Sequence, residues 1–376
     1  MNRTIEIEFN KFPLKPQENL LDSTSNNYLK CIDINLKKLT ALYKIEEFDD
    51  YNKPKNYQEF PALKYLVPNT DLFKFQLGHP GKGKDSRKEN SRVLGQTLCR
   101  YFNLEYFDAP YMANISDFIG HQLGNEFNNI NIVRKSSGDT PDFISATNNK
   151  SISLWEAKGR RRIISFNETD FEKWRKQFDR ISIICNNIEQ SLKGYIFEVA
   201  IANERNKLPN SKILVEDPET SGERFDSNED LFNLIKSGHY KRTLQKMGLQ
   251  FIGDAIIYAE KLNQSKYSFP TYTSKKTKKE YIGIFAINFP FILALPYWEF
   301  GIIEYNQGIK QNSKHFFGIE KTIFKNLINV ARGNREYLNS IEKRNGNFSN
   351  ESHIEFEDGT LLCNPNLISF GKIEQF

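Results

Sequence analysis

Apolar residues recur along this chain at two spacings, three to four residues in some stretches and two in others, and the switches between them mark out its elements. In VLGQTLCRYFNLEYF, Val93, Leu94, Thr97, Leu98 and Tyr101 fall on one face of a helix. The stretch before it, from Gly78 to Arg92, is charged and glycine-containing, which predicts an exposed loop. In ISDFIGHQLGNEF, the stripe Ile115, Phe118, Ile119, Leu123 and Phe127 predicts an amphipathic helix with Ser116 as its N-cap. Three strand-like runs follow, 129–135, 141–146 and 151–159, the last two joined by the turn-forming residues Thr147 to Lys150. They read as a small antiparallel meander. ETDFEKWRKQFDRISII, from Glu168 to Ile184, is polar and strongly helical, and LKGYIFEVAIA, from Leu192 to Ala202, predicts another strand.

From about residue 206 onward, charged loops such as TSKKTKKE (273–280) alternate with apolar strands and a helix in IEKTIFKNLINVARGNREYL. The apolar run Gly283 to Trp298 is broken by Asn288, Pro290 and Pro296, so it predicts one or two buried strands rather than a membrane span. The chain shows no internal repeat. Its 376 residues leave room for two domains or one elaborated enzyme domain. We read 106–205 as a central core, 1–105 as a region for target or partner recognition, and 206–376 as an extension that continues the core or recognises DNA.

Composition changes this picture little. At 39% hydrophobic, 13% aromatic and 26% charged, the chain is that of an ordered globular protein and excludes disordered and fibrous classes. A net charge of +5 permits a polyanionic partner without demanding one. Cys31, Cys99, Cys185 and Cys363 stand far apart with no zinc-ligand spacing, and the first residues lack the apolar stretch of a secretory signal. Both features lead to the expectation of a reducing, cytoplasmic setting.

The chemistry concentrates in the meander. Two carboxylates on adjacent strands can hold a divalent cation, and a lysine two residues after the second shares its face of the strand. Asp142 opens one strand, and Glu156 and Lys158 meet the spacing on the next. Pro141-Asp142 is the only Pro-Asp pair in the chain, and Glu156-Ala157-Lys158 the only acid-x-lysine triplet. The pair and triplet, in this order, resemble the signature of the PD-(D/E)XK nuclease superfamily, over roughly residues 112–202. The resemblance implies an α/β fold with a restriction-endonuclease-like core, a central mixed sheet flanked by helices and extended at both ends. It also implies Mg²⁺, with Mn²⁺ as a substitute, held by Asp142, Glu156 and the backbone carbonyl of Ala157. Lys158 would then position the attacking water or the phosphate. Gln177 matches a glutamine often found in the helix after this strand.

The same resemblance implies double-stranded DNA as substrate, a restriction or anti-phage defence role, and a homodimer or defence-system partner, with no membrane. RNA cleavage by the same site, in a toxin-like nuclease, and a non-catalytic nucleic-acid-binding subunit are the alternatives. A further acidic ligand is left open among Asp117, His121 and Glu126, with His121 one helical turn after Asp117. Asp139 reads as a turn residue. Arg160, Arg161 and Arg162 follow the motif strand and are candidates for phosphate contact, although alternation forbids all three from facing one way. GHPGKGKD has the glycine-lysine spacing of a phosphate-binding loop, but Asp85 stands where a hydroxyl should bind the metal, so it reads as a flexible basic loop. The five histidines form no metal-binding motif.

Overall fold

The computed structural model describes residues 2–12, 18–25, 27–47, 63, 65–81, 83–206, 208–220, 228–287, 313–350 and 352–376. The chain divides into two compact units. The first comprises Met1–Glu47, Gln58–His121 and Asn128–Ile235, and the second Phe48–Tyr57, Gln122–Phe127 and Lys236–Phe376.

The first unit contains β1 (Asn2–Asn10), β2 (Cys31–Asn35), α1 (Leu36–Glu47), β3 (Lys74–Phe75), α2 (Lys84–Tyr106) and β4 (Tyr111–Asn114). It continues with β5 (Ile130–Arg134), β6 (Phe143–Asn148), β7 (Ser151–Arg160), α3 (Thr169–Phe178), β8 (Ile181–Cys185) and β9 (Ile188–Glu189). β10 (Lys193–Ala200), β11 (Ala202–Asn203) and β12 (Lys212–Glu216) follow. Seven strands form a mixed sheet in the order β2-β1-β12-β10-β7-β6-β4, in which β10 runs parallel to β7 and β1 parallel to β12. The protein is therefore α/β, with helices on both faces of a mixed sheet.

β7 is an interior strand, between β10 and β6, and its side chains alternate between two different environments. On one face Trp155 joins Tyr195, Phe197, Phe102 and Phe107 in an aromatic cluster with centroids 4.7–6.2 Å apart. This is the face that α2 covers, and glycine permits its close approach. A Cβ on Gly159 would stand 1.8 Å from the Ser91 carbonyl oxygen, and one on Gly95 2.5 Å from the Gly159 nitrogen. The other face carries Leu154 and Glu156 under α3, whose buried side chains are Phe171, Trp174, Gln177 and Phe178.

Several expectations are corrected. The stripe from Ile115 to Phe127 forms no continuous helix. It makes two 3-10 turns, Ile115–Asp117 and Asn125–Phe127, with Asn114 rather than Ser116 at the first cap. Gly120 lies between them at φ +73°, a conformation that interrupts a helix. The helix that covers the sheet is α2, which begins at Lys84 inside the expected loop. The run 129–135 is a strand, but β5 pairs antiparallel with β8, and the place beside β6 is taken by the short buried β4. Residues 181–185 are strand rather than helix: α3 stops at Phe178, and Ile181, Ile183 and Cys185 bury alternate positions of β8. Asn186 and Asn187, both at positive φ, turn β8 into β9. The sheet itself draws β1 and β2 from the N-terminal residues and β12 from beyond residue 205, so the 106–205 segment does not close a sheet alone. The apolar side chains of β1, Ile5 and Ile7, are buried by that pairing.

Helix α4 (Glu229–Lys246) leads into the second unit, followed by α5 (Gln250–Ala255), β13 (Ser268–Ser274), β14 (Glu280–Ile287), β15 (Ser313–Glu320), α6 (Lys321–Ala331), β16 (Asn347–Asn350), β17 (His353–Glu355), β18 (Thr360–Cys363) and β19 (Ile368–Gln375). Its seven-stranded sheet has the order β16-β17-β18-β15-β14-β13-β19, and every described pairing is antiparallel. Tyr272, Tyr281, Phe285, Phe316 and Leu361 form part of its core. Gly283 to Ile287 of the apolar run belong to β14, while residues 288–298 lie outside the described residues. Among the described residues no helix is long and apolar enough to cross a membrane.

Candidate functional site

The β6–β7 hairpin places the candidate residues. Its register pairs Phe143 with Trp155, so Asp142, one residue before β6, comes level with Glu156. β7 runs on beyond this last pair, and among the described residues no strand pairs with that edge of its final residues. Asp142 caps that edge: its Oδ2 accepts the Ala157 backbone N–H at 2.9 Å. The N–H and C=O of a strand residue point the same way, so the Ala157 carbonyl lies on this edge too.

The Lys158 ammonium contacts the Glu156 carboxylate and lies 3.7 Å from Asp142 Oδ2. Glu156 is 0% exposed, whereas the side chains of Asp142 and Lys158 are 28% and 29% exposed. The site is thus a buried carboxylate beneath a partly open carboxylate–ammonium pair. Burial first, and then the Asp142 charge, push the Glu156 pKa up to about 8, while Lys158 and the Gln177 amide oppose the shift. Burial alone would lower the Lys158 pKa, but Glu156 and Asp142 outweigh it and hold the ammonium charged. Gln177 reaches Glu156 because α3 lies across this face with Gln177 turned inward. The structure therefore brings Asp142, Glu156, Lys158 and Gln177 together.

The other candidates fall in different elements. His121 is exposed beyond the first 3-10 turn, and Asp117 sits within that turn. Glu126 belongs to the second unit, where it pairs with Lys261. The Asp139 carbonyl accepts from Arg180 Nη1 at 3.0 Å, and its carboxylate adds to the negative field on Lys158. The arginine triplet divides. Arg160 is 2.5 Å from Asp170 Oδ2, with its guanidinium 4.7 Å above the Trp174 ring, and Arg162 is 3.3 Å from both Glu168 and Asp170. The start of α3 holds these two arginines, whereas among the described residues Arg161 has no carboxylate partner.

One residue of interest is not singled out by any motif. Glu198 of β10 stands in register with Lys158, fully buried, and neither carboxylate oxygen has a hydrogen bond among the described residues. Burial pushes its pKa up to about 8 and Glu168 adds to this, against Arg160 and Arg162. The signal in the sequence is a single acid inside the otherwise apolar run YIFEVA, the sort of residue that is seldom buried without a reason.

The donor set suits a hard divalent cation. Glu156 is a buried carboxylate whose oxygens lack hydrogen bonds of ordinary geometry, it faces a second carboxylate, and a free strand edge lies beside both. Among the described residues no group of three His, Cys, Asp or Glu side chains is arranged to hold a metal, so the protein would supply two carboxylates and a carbonyl. Comparison of the chain with protein-family models, with curated proteins and with solved structures finds no match.

Proposed function

We propose that the first unit is a restriction-endonuclease-like core of the PD-(D/E)XK type, and that it hydrolyses phosphodiester bonds of DNA with Mg²⁺ or Mn²⁺. The observation that carries this reading is the convergence of Asp142, Glu156 and Lys158 at the free edge of β7. Asp142, Glu156 and the Ala157 carbonyl would hold the ion, which when bound lowers the pKa of water and offsets charge on the scissile phosphate.

The residues of the chain account for the remaining requirements. Asp142 is fixed by the Ala157 N–H, so one carboxylate oxygen is oriented before substrate arrives. Lys158 stays protonated between two carboxylates and can donate to a phosphate oxygen or orient a water molecule. Gln177, buried on α3, favours the charged form of Glu156 from the helix side. Double-stranded DNA is the substrate class we favour, in an anti-phage defence role, for a protein that acts without a membrane.

A substrate panel tests the reading. Supercoiled plasmid, linear duplex, single-stranded DNA and RNA are each incubated with the wild type and with Glu156→Gln, in Mg²⁺, in Mn²⁺ and in EDTA. Metal-dependent cutting of duplex DNA, lost in Glu156→Gln, is the expected result. Preferential cutting of RNA would replace the substrate, and failure of the wild type to cut any of the four would overturn the nuclease reading.

A further inference from the structure

The lone arginine of the triplet has two partners of its own charge. Arg161 is the first residue past β7, two residues after Gly159, whose Cβ position faces α2. On that face Ser91 and Gly95 of α2 lie against Gly159, and one turn closer to the helix start is Arg87. The turn after β11 converges on the same place. Asn206 Nδ2 donates to the carbonyls of Arg161, at 2.9 Å, and Ile201, at 2.8 Å, which fixes the neighbouring Arg205. The Arg205 guanidinium packs on Gly78, with Nη1 3.3 Å from where a Cβ would stand, so the first glycine of the GHPGKGKD stretch makes room for an arginine.

Among the described residues neither Arg161 nor Arg205 has a carboxylate partner, and the buried Nε of Arg161 has no hydrogen bond. The nearby Glu204 is engaged, accepting from the Leu77 N–H at 2.6 Å. Burial, and then the charges of Arg87 and Arg205, depress the Arg161 pKa. Exposed Lys84 and Lys88 in the first turns of α2 add to the positive field, and Asp85 offsets part of it. An arginine fork without a carboxylate partner is matched to a planar or tetrahedral oxyanion.

We propose that Arg161 and Arg205 form a phosphodiester-binding subsite that holds the substrate backbone beside the cleavage site. The choice of nucleic acid as ligand rests on the nuclease reading above. Arg161 follows Glu156 by five residues, roughly 17 Å along an extended strand. That is about five nucleotide steps of a duplex measured along its axis. The backbone would pass over the end of β7, from the carboxylates to the arginines.

The test is binding without catalysis: anisotropy of a labelled DNA duplex in EDTA over a range of salt. Arg205→Gln, on an exposed turn, should weaken binding about tenfold and lower the salt slope by about one. Arg161→Gln should do the same, with its thermal melt checked because the side chain is partly buried. Arg162→Gln, held by α3, should leave the slope unchanged. An unchanged slope in Arg205→Gln, or an equal fall in Arg162→Gln, would sink the subsite. So would an Arg205→Gln protein that loses binding of inorganic phosphate yet keeps its duplex affinity. If the wild type cuts DNA but the slope is insensitive to Arg205, this subsite fails and the nuclease reading stands. If the slope falls in a protein that cuts nothing, the subsite stands and the nuclease reading fails.

Discussion

Glu198 is a buried carboxylate with no hydrogen bond among the described residues, and its energetics are a question of protons. Its pKa is near 8 in the folded chain and in the ordinary carboxylate range when unfolded. Between those values the folded state holds a proton that the unfolded state has lost, so stability falls as pH rises through that window. Glu198→Gln, which cannot ionise, should remove the fall. We expect thermal melts of the variant and wild type to agree near pH 5 and to separate by pH 8.5, with the variant more stable by on the order of 2 kcal/mol. Equal differences at both pH values would mean that Glu198 is ionised throughout and finds a cation in solution. At this scale the sequence is informative where residue type and spacing coincide. Asp142, Glu156 and Lys158 can be read from a pair and a triplet that each occur once. Glu198 cannot, because nothing in its neighbourhood on the chain shows that β10 lies beside β7. The arginine triplet is legible as alternating, but its ion pairs with Asp170 and Glu168 depend on where α3 lands.

Among the elements, the contact of α2 with β7 has the least tolerance. A methyl group on Gly159 would meet the Ser91 carbonyl at 1.8 Å, and both partners there are backbone. Gly159→Ala should therefore lift α2 from the strand that carries Glu156 and Lys158, at a cost of about 3 kcal/mol or more. Chemical denaturation would measure it, and a loss below about 1 kcal/mol would mean that the helix shifts freely. The places where pattern misleads also belong to this scale. Residues 115–127 have a helical stripe, but Gly120 interrupts them, and the backbone bond from the Ile115 N–H to the Asp142 carbonyl, at 3.1 Å, ties this segment to the start of β6 instead. β4, with four residues, is too short for its period to be read, so by pattern alone β5 takes its place beside β6. β8 merges with the preceding helix because ISII is equally compatible with a helical end until its β5 partner is known. Long elements with strong periods, β7, α2 and β10, are legible in type. Strand neighbours separated by a hundred residues or more, such as β1 and β12, leave no local trace in the sequence.

For the whole molecule, the first unit supplies a mixed sheet in which Asp142, just before β6, meets Glu156 and Lys158 of β7, with Arg160, Arg161 and Arg162 at the end of β7. The second unit is a separate antiparallel sheet, in which strands and one helix are legible from the sequence but no chemistry is. The proposed catalysis belongs entirely to the first unit. The most direct test of that claim is plasmid nicking in Mg²⁺ by the wild type and Lys158→Ala, with duplex binding measured on both. We expect nicking by the wild type, a loss of at least about a hundredfold in the variant, on the order of what one lost charge-stabilising donor costs, and retained binding. Nicking that survives Lys158→Ala at the wild-type rate would contradict the claim, and would move the chemistry away from the edge of β7.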